Sequence, residues 1–216
     1  MAAALVFAAA LLEPTPRLRS RLASLQSPTV VAADNGATTA LAFGLKPDLV
    51  IGDFDSIDPS ALDELRRQGV PIETHPRDKD ATDGQLAIAR ALQLSPTELY
   101  LVGFLGGPRL DQLLANVLLL TTLEVPTLLL DADNECRLVR PHTPISWSPE
   151  PGEVVSLIPL TTTVEGVRTQ GLRWPLEDEQ LHLGDTRGVS NEPLDGQQVS
   201  VQTRAGLMLV TRHFPA

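Results

Sequence analysis

Aspartates in this chain occur in small groups, and each group follows an apolar run of the kind that forms a β-strand. Two carboxylates about 4 Å apart repel each other by roughly 4 kcal/mol at an effective dielectric constant near 20, so neighbouring groups need a cation. Oxygen-only ligands suit Mg²⁺, which also binds the phosphates of a substrate. The groups are Asp34 after Val30–Ala33, Asp53 and Asp55 after Leu49–Ile51, Asp78, Asp80 and Asp83 after Val70–Thr74, and Asp111 after Leu99–Phe104.

The aspartates can act together only if the loops that hold them meet. Open parallel sheets bring the loops beyond the carboxyl ends of their strands to one edge, where ligands bind. The competing interpretation is that each aspartate caps a helix or forms a turn, and Thr82 with Gln85 does make a capping-box pattern. Because aspartates recur in successive turns, the sequence favours a site for a metal and a polyphosphate.

Basic residues near these acids fit the same interpretation. The chain has only two lysines, Lys46 and Lys79, and Lys79 stands between Asp78 and Asp80. Arg109 follows a Gly-Gly-Pro turn that opens a predicted helix, a place suited to phosphate oxygens. Either residue taken alone would be read as a solvated surface charge. The sequence has no Gly-x-x-x-x-Gly-Lys loop, no histidine pair with zinc spacing and no serine nucleophile elbow.

The pattern of apolar residues differs between the two halves of the chain. Up to about Leu130, apolar runs alternate with helical patterns, which predicts a parallel sheet covered by helices on both faces. The first run, Leu5–Leu12, is expected to be a buried strand rather than a signal peptide, because no Lys or Arg precedes it. After Asp131, short alternating runs separated by turn residues predict an antiparallel sandwich or barrel. We place an α/β domain at 1–133 and an all-β domain at 134–216.

The composition and net charge of the chain argue against some classes of binding partner. The chain has 216 residues, 43% of them hydrophobic, and a formal net charge of −10. This charge argues against nucleic acid and against anionic membranes, both of which require clusters of Lys and Arg. The single cysteine, Cys136, cannot form an internal disulfide, so a cytoplasmic location is expected.

Several segments resemble the thiamine pyrophosphokinase family in order and spacing, from about residue 30 to 210, and the most specific of them is Asp48–Ser56. Positions 35, 38, 108 and 112 (Asn, Thr, Pro and Gln) depart from the family pattern without removing a metal carboxylate. The matching segments are Ala33–Ala37, Pro47–Ser56, Asp78–Asp83, Gly106–Gln112 with Leu114–Asn116, Gly171–Leu176 and Val189–Asn191.

The resemblance implies a fold, an assembly and roles for individual residues. It implies an α/β amino-terminal domain, a β-sandwich carboxyl-terminal domain, and a homodimer whose sites use both subunits. Mg²⁺ would be bound by Asp53, Asp55 and Asp83. The nucleotide and its diphosphate would be bound by Asp34, Lys79, Asp80, Thr82, Arg109, Asp111 and Asn116. Thiamine would contact Trp174, Ser190 and Asn191, with the indole facing the cationic thiazolium.

The implied reaction is attack of the thiamine hydroxyl on the β-phosphorus of ATP, with release of AMP. Asp111 or Asp80 would accept the hydroxyl proton, and the sequence does not choose between them. Two alternatives stay open. One is a diphosphokinase for another primary alcohol, such as a pterin, and the other is a non-catalytic sensor of nucleotide or thiamine.

Overall fold

The computed structural model describes residues 3–8, 10 and 12–215. Within it the contacts between Cα atoms divide the chain into two units. One unit comprises Met1–Leu119 and Leu123–Ala132, and the other comprises Leu120–Thr122 and Asp133–Ala216. The first strand is Ala4–Phe7, so part of the apolar run predicted as Leu5–Leu12 (residues 9 and 11) lies outside the described residues.

Six strands form the sheet of the first unit, in the order β4-β3-β2-β1-β5-β6. Every neighbouring pair is parallel, as the alternation of apolar runs and helical patterns predicts. The order extends from β1 in both directions, so the chain reverses its direction of winding between β1 and β5. The strands are β1 (Ala4–Phe7), β2 (Thr29–Ala33), β3 (Leu49–Gly52), β4 (Ile72–Thr74), β5 (Leu99–Val102) and β6 (Thr127–Leu130).

Five α-helices connect these strands, and their ends follow local sequence signals. Asp58 accepts a hydrogen bond from the backbone N–H of Ser60 (2.7 Å) and Pro59 follows it, so a capping aspartate and a proline in the first turn begin the helix Pro59–Arg67 (α3). The helix predicted after the Gly-Gly-Pro turn begins at Leu110, ends at Leu119 and continues as a 3₁₀ turn over Leu120–Thr122. The helices are α1 (Pro16–Ala23), α2 (Gly36–Ala42), α3 (Pro59–Arg67), α4 (Asp83–Leu92) and α5 (Leu110–Leu119).

Burial in the first unit is uneven. All residues of β1 and of β5 are buried, as expected for central strands covered on both faces. By contrast, α5 has no buried residue, and Leu110, Leu114 and Leu118 on it are 52–68% exposed. These leucines recur every four residues and therefore form an apolar stripe on one face of the helix.

The second unit contains two antiparallel sheets. Its first sheet joins β7 to β13 and β13 to β9, and its second has the order β11-β10-β12-β8. One apolar cluster contains residues of both sheets, including Val155 and Val201, as in a sandwich. The strands are β7 (Asn134–Val139), β8 (Ile145–Trp147), β9 (Val154–Pro159), β10 (Thr163–Gln170), β11 (Glu177–His182), β12 (Val199–Gln202) and β13 (Met208–His213).

The predicted fold class, a parallel α/β unit followed by an antiparallel sandwich, is confirmed. Strands β8 and β11 are not among the short alternating runs of the sequence. Strand β8 has only three residues, and β11 has Leu181 as its only buried residue, so neither gives an alternating pattern. Among the described residues, no helix has both the length and the apolar character that crossing a bilayer requires.

Candidate active site

A close contact between the loop after β2 and the loop after β3 positions Asp34. Asp34 is 8% exposed and has a positive φ of 46°, a left-handed conformation that aspartate tolerates better than most residues. Its Oδ1 accepts the backbone N–H of Phe54 (3.1 Å), and its own N–H donates to the carbonyl of Ile51 (2.9 Å). Gly52 makes this approach possible, because a Cβ there would lie 1.8 Å from Oδ1 of Asp34.

Three carboxylates from three different loops meet where these two loops touch. Asp34 follows β2, Asp53 follows β3, and Asp83 is the first residue of α4, after the capping residue Thr82. One oxygen of each carboxylate lies within 4.8 Å of the others. Oxygen donors grouped this closely match the ligand preference of a hard divalent cation.

Lys79 supplies positive charge to this acidic group. Its ammonium lies 3.1 Å from Oδ1 of Asp83 and 3.8 Å from Oδ2 of Asp53, and it donates a hydrogen bond to the carbonyl of Pro76 (3.1 Å). Burial by itself would lower the pKa of Lys79, but the hydrogen bond to Asp83 and the nearby acids outweigh it and raise that pKa. The lysine is therefore charged near neutral pH and neutralises part of the acidic group.

Asp34 is the acid that this environment perturbs most. Burial, the principal cause, raises its pKa from 3.8 to about 6, and the charges of Asp83 and Asp53 act in the same direction. The N–H of Phe54 opposes this rise because it stabilises the ionised form. Asp34 thus holds its proton more firmly than an ordinary aspartate unless a cation is bound nearby.

A pH dependence follows from this shift. Between about pH 4 and 6 the folded chain retains a proton that the unfolded chain has released, so the contribution of Asp34 to stability falls as pH rises through that window. A divalent cation prefers the ionised form. We therefore expect the rise in Tm caused by a fixed excess of Mg²⁺ to grow as pH increases through about 6. Thermal unfolding of wild type and Asp34→Asn checks this, and equal growth in both would contradict it.

Arg109 and Asp111 form a second charged feature, on the loop that leads into α5. The guanidinium is bidentate to the carboxylate, with Nε–Oδ1 at 2.8 Å and Nη2–Oδ2 at 2.5 Å, and both side chains are more than 60% exposed. The hydrogen bonds from Arg109 lower the pKa of Asp111 to about 2. Asp111 is therefore a weak base near neutral pH.

A cavity of about 700 Å³ opens at the carboxyl edge of the parallel sheet. Its lining comes from the segments after β1 to β5, including Ala8 and Gly103 beside the reversal of winding, where open sheets bind ligands. Arg77, which the sequence analysis did not single out, also lines it. The sequence-predicted residues that line the cavity are Asp34, Asp53, Lys79, Asp80, Thr82, Asp83, Arg109, Asp111 and Asn116.

Asp55 lies outside this group. Its side chain is exposed, it does not line the cavity, and its backbone N–H donates to Oδ1 of Asp53 (3.2 Å). The assignment of Asp55 as a metal ligand stays a prediction.

The three residues predicted to contact thiamine belong to the second unit. Trp174 is 52% exposed, Ser190 is exposed, and Asn191 is 7% exposed. The amide of Asn191 hydrogen-bonds to the backbone of Trp174, so the structure brings these two residues together. Ser190 has a positive φ of 62°, and its N–H donates to Oγ of Ser156 (3.0 Å).

Family models match both parts of the chain. One, described as "Thiamin pyrophosphokinase, catalytic domain", matches residues 21–128, and another, "Thiamin pyrophosphokinase, vitamin B1 binding domain", matches residues 142–208. The chain is also 28% identical over 165 residues to the thiamine pyrophosphokinase of Bacillus subtilis, an alignment that spans 75% of this chain and 77% of that protein. It is 30% identical to thiamine pyrophosphokinase 3 of Oryza sativa, over 68% of this chain and 58% of the relative.

Solved structures share the architecture. The thiamine pyrophosphokinase structure from Bacillus subtilis superimposes with a TM-score of 0.87 at 23% identity, covering 99% of this chain and 100% of the other. The thiamin pyrophosphokinase structure from Geobacillus thermodenitrificans gives a TM-score of 0.84 at 25% identity, covering 100% and 99%.

Proposed function

The chain belongs to the thiamin pyrophosphokinase family, and from this we infer that it transfers the diphosphate group of ATP to the hydroxyl of thiamine. The products are thiamine diphosphate and AMP. The observation that supports this most directly is the group of Asp34, Asp53 and Asp83 beside a cavity at the sheet edge. Such a group suits a cation together with a polyphosphate, and the reaction requires both.

Mg²⁺ fits the residues present at this edge. The donors are carboxylate oxygens from separate loops, and their charge is only partly neutralised by Lys79. We propose that Asp53, Asp55 and Asp83 bind the ion, with Asp34 as a further carboxylate of the group. When bound, the ion would neutralise charge on the phosphate oxygens of ATP.

The other residues of the cavity would bind the nucleotide or hold the segments around it in place. Lys79 and Arg109 are cations on its lining and would bind phosphate oxygens, Arg109 exchanging its carboxylate partner Asp111 for phosphate. Thr82 fixes the first turn of α4, because its Oγ1 accepts the N–H of Gln85 (3.2 Å). Asn116 donates to the carbonyl of Phe104 (2.8 Å) and so holds α5 against the loop after β5.

Proton removal from the thiamine hydroxyl needs a base in the cavity. Asp111 has a pKa of about 2 while it is paired with Arg109, which makes it a poor acceptor. Asp80 lines the same cavity, and we propose it as the acceptor. Because charge accumulates on the transferred group, we expect positioning and electrostatics to contribute more to the rate than this base does.

Measuring AMP formation with ATP, Mg²⁺ and a panel of primary alcohols tests the function. Thiamine-dependent AMP release supports it, whereas AMP release with a pterin and none with thiamine would establish the first alternative. Calorimetry that shows tight Mg²⁺–ATP binding without any AMP would establish the sensor. Trp174 favours thiamine, since an exposed indole suits a cationic ring.

We propose further that residues 1–133 bind ATP and Mg²⁺ and that residues 134–216 bind thiamine. A cytoplasmic location is also proposed, because the single cysteine, Cys136, is buried and suits a reducing compartment. The proposed assembly is a homodimer whose sites use both subunits. The exposed stripe of Leu110, Leu114 and Leu118 supports it, since an apolar helix face of this kind is a candidate contact surface.

Leu114→Glu is the variant that tests this stripe. A charge in the middle of an apolar interface is expected to weaken the dimer at least about tenfold, because burying an unpaired carboxylate is costly. Sedimentation velocity over a range of concentrations measures the change. Leu94→Glu is the control, because Leu94 is similarly exposed (57%) but is not part of the stripe. Equal sedimentation of wild type and Leu114→Glu would exclude the stripe as the interface.

A further inference from the structure

Trp174 presents its indole to solvent from the short connection between β10 and β11. Its side chain is 52% exposed, whereas the chain's other tryptophan, Trp147, is buried and donates to Glu153. The guanidinium carbon of Arg173 lies 4.9 Å from the centroid of the Trp174 ring. Arg173 is in turn hydrogen-bonded to the carboxylate of Glu192 (2.8 Å). One face of the indole therefore already has a cation, so a ligand that stacks on this half-exposed ring would use the opposite face.

The side-chain amide of Asn191 makes two hydrogen bonds to the backbone of Trp174. Its Oδ1 accepts the N–H of Trp174 (3.2 Å), and its Nδ2 donates to the carbonyl of Trp174 (2.7 Å). The same Oδ1 also accepts the N–H of Glu192 (2.9 Å). Both backbone polar groups of Trp174 are thus bonded to one buried amide, which restricts the rotation of the peptide units on either side.

Asn191 is itself fixed to the sandwich. Its N–H and carbonyl make reciprocal 2.8 Å hydrogen bonds with Val155 of β9. The chain around it is paired with the Trp174 loop by two further backbone bonds of 2.8 Å, Arg173 N–H to Glu192 O and Leu194 N–H to Gly171 O. The amide therefore connects the indole to the sheet.

These contacts leave Asn191 little capacity to bind a ligand. An amide oxygen has two acceptor sites, and both are used by backbone N–H groups. One N–H of the amide remains, on a residue that is 7% exposed. The side chain is therefore suited to positioning its neighbours.

We propose that Asn191 is a positioning residue that acts on thiamine through Trp174: it fixes the indole so that its free face receives the cationic ring. This rests on the proposed function, in which Trp174 is the thiamine platform. It replaces a direct contact between Asn191 and thiamine by an indirect one.

A double-mutant cycle in the full-length chain tests the proposal. Asn191→Ala and Trp174→Ala are each expected to raise KM for thiamine about tenfold, the effect of losing one cation–π contact, and to leave KM for ATP unchanged. The double variant is expected to be no worse than the poorer single variant, because Asn191 would act only through the indole. Effects that multiply in the double variant would show that Asn191 contacts thiamine by itself and would overturn the proposal.

Fluorescence without any ligand provides a readout that is independent of the reaction. Because Trp147 is buried, acrylamide quenches mainly Trp174. Asn191→Ala should lower the anisotropy and change the quenching of this exposed indole, and the exposed-amide variant Gln202→Ala should not. Unchanged anisotropy and quenching in Asn191→Ala would overturn the proposal even if KM rises. If Trp174→Ala leaves KM for thiamine unchanged, the proposal is overturned even where the fluorescence effect appears, whereas thiamine-dependent AMP release by the same variant still supports the proposed function.

Asn191→Asp keeps the study interpretable if the alanine variant does not fold. This substitution preserves the size of the side chain and the acceptor for the N–H of Trp174 but removes the donor to its carbonyl. The same changes in anisotropy and thiamine KM are expected, at smaller amplitude. Wild-type values for both in a folded Asn191→Asp variant would overturn the proposal.

Discussion

Asp53→Asn is expected to lower kcat for diphosphate transfer by at least about 1,000-fold, corresponding to roughly 4 kcal/mol of transition-state stabilisation. Asp53 is the member of the acidic group that lies on the loop after β3, within 4.8 Å of both Asp34 and Asp83. Asparagine has the same shape and keeps the Oδ1 that accepts the N–H of Asp55. The loop should therefore keep its conformation while the anionic ligand is lost.

Steady-state AMP formation measures the effect, and Mn²⁺ binding followed by paramagnetic resonance reports on the metal site separately. Asp63→Asn is the control, because Asp63 is exposed on α3, pairs with Arg66 on the same helix and does not line the cavity. Circular dichroism and Tm should be close to those of wild type in both variants. A kcat within a factor of ten of wild type, in pure Asp53→Asn, would remove Asp53 from the proposed ligand set.

Asp55→Asn addresses the one proposed ligand that lies outside the acidic group. If Asp55 contributes a ligand once the cation is bound, its loss should reduce Mn²⁺ affinity and kcat together, as for Asp53. If activity is normal, the ligand set reduces to Asp53 and Asp83 with Asp34, all of which are within 4.8 Å in this structure. Both outcomes decide only whether Asp55 is a metal ligand, and neither changes the assignment of the other three carboxylates.

The sequence predicts the convergence of acids well because two simple regularities decide it. Parallel strands require covered faces, which gives runs such as Leu99–Val102 that are buried throughout, and the loops after such strands must share one edge. Those loops bring their aspartates to one edge, where Asp34, Asp53 and Asp83 meet. Two helix starts are also decided by local sequence, because Asp58 and Thr82 cap their helices through backbone N–H groups only two or three residues away.

The role of an individual residue at that edge was harder to predict. The family resemblance gives Asp34 a role toward the nucleotide, which stays a prediction; the structure adds that its carboxylate, which lines the cavity, is grouped with Asp53 and Asp83. Its position depends on a contact with Gly52, which is 18 residues away and has no chemistry of its own. Asn191 presents the same difficulty, since its amide bonds the backbone of Trp174, 17 residues earlier. Pairings across loops depend on register, which residue types do not encode.

Gly52→Ala is the second variant for which we expect a large effect. Position 52 is the last residue of β3 and is not among the residues with a positive φ, so alanine suits the backbone. A Cβ, however, would lie 1.8 Å from Oδ1 and 2.6 Å from Cγ of Asp34. The carboxylate must leave its place, which also breaks its hydrogen bond with the N–H of Phe54. We expect a loss of about 2–3 kcal/mol in the free energy of unfolding, as for an overpacked core site, and a fall in Mn²⁺ affinity of at least about tenfold.

The double variant Gly52→Ala/Asp34→Ala separates crowding from chemistry. Removing the Asp34 carboxylate makes room for the new methyl group, so the free energy of unfolding should recover toward that of Asp34→Ala alone. Mn²⁺ affinity should stay low, because the anionic oxygen that belongs to the group is gone. Denaturant unfolding and Mn²⁺ titration measure the two quantities on the same samples. If Gly52→Ala is as stable as wild type and binds Mn²⁺ equally well, the contact between these two loops does not hold Asp34 in the acidic group.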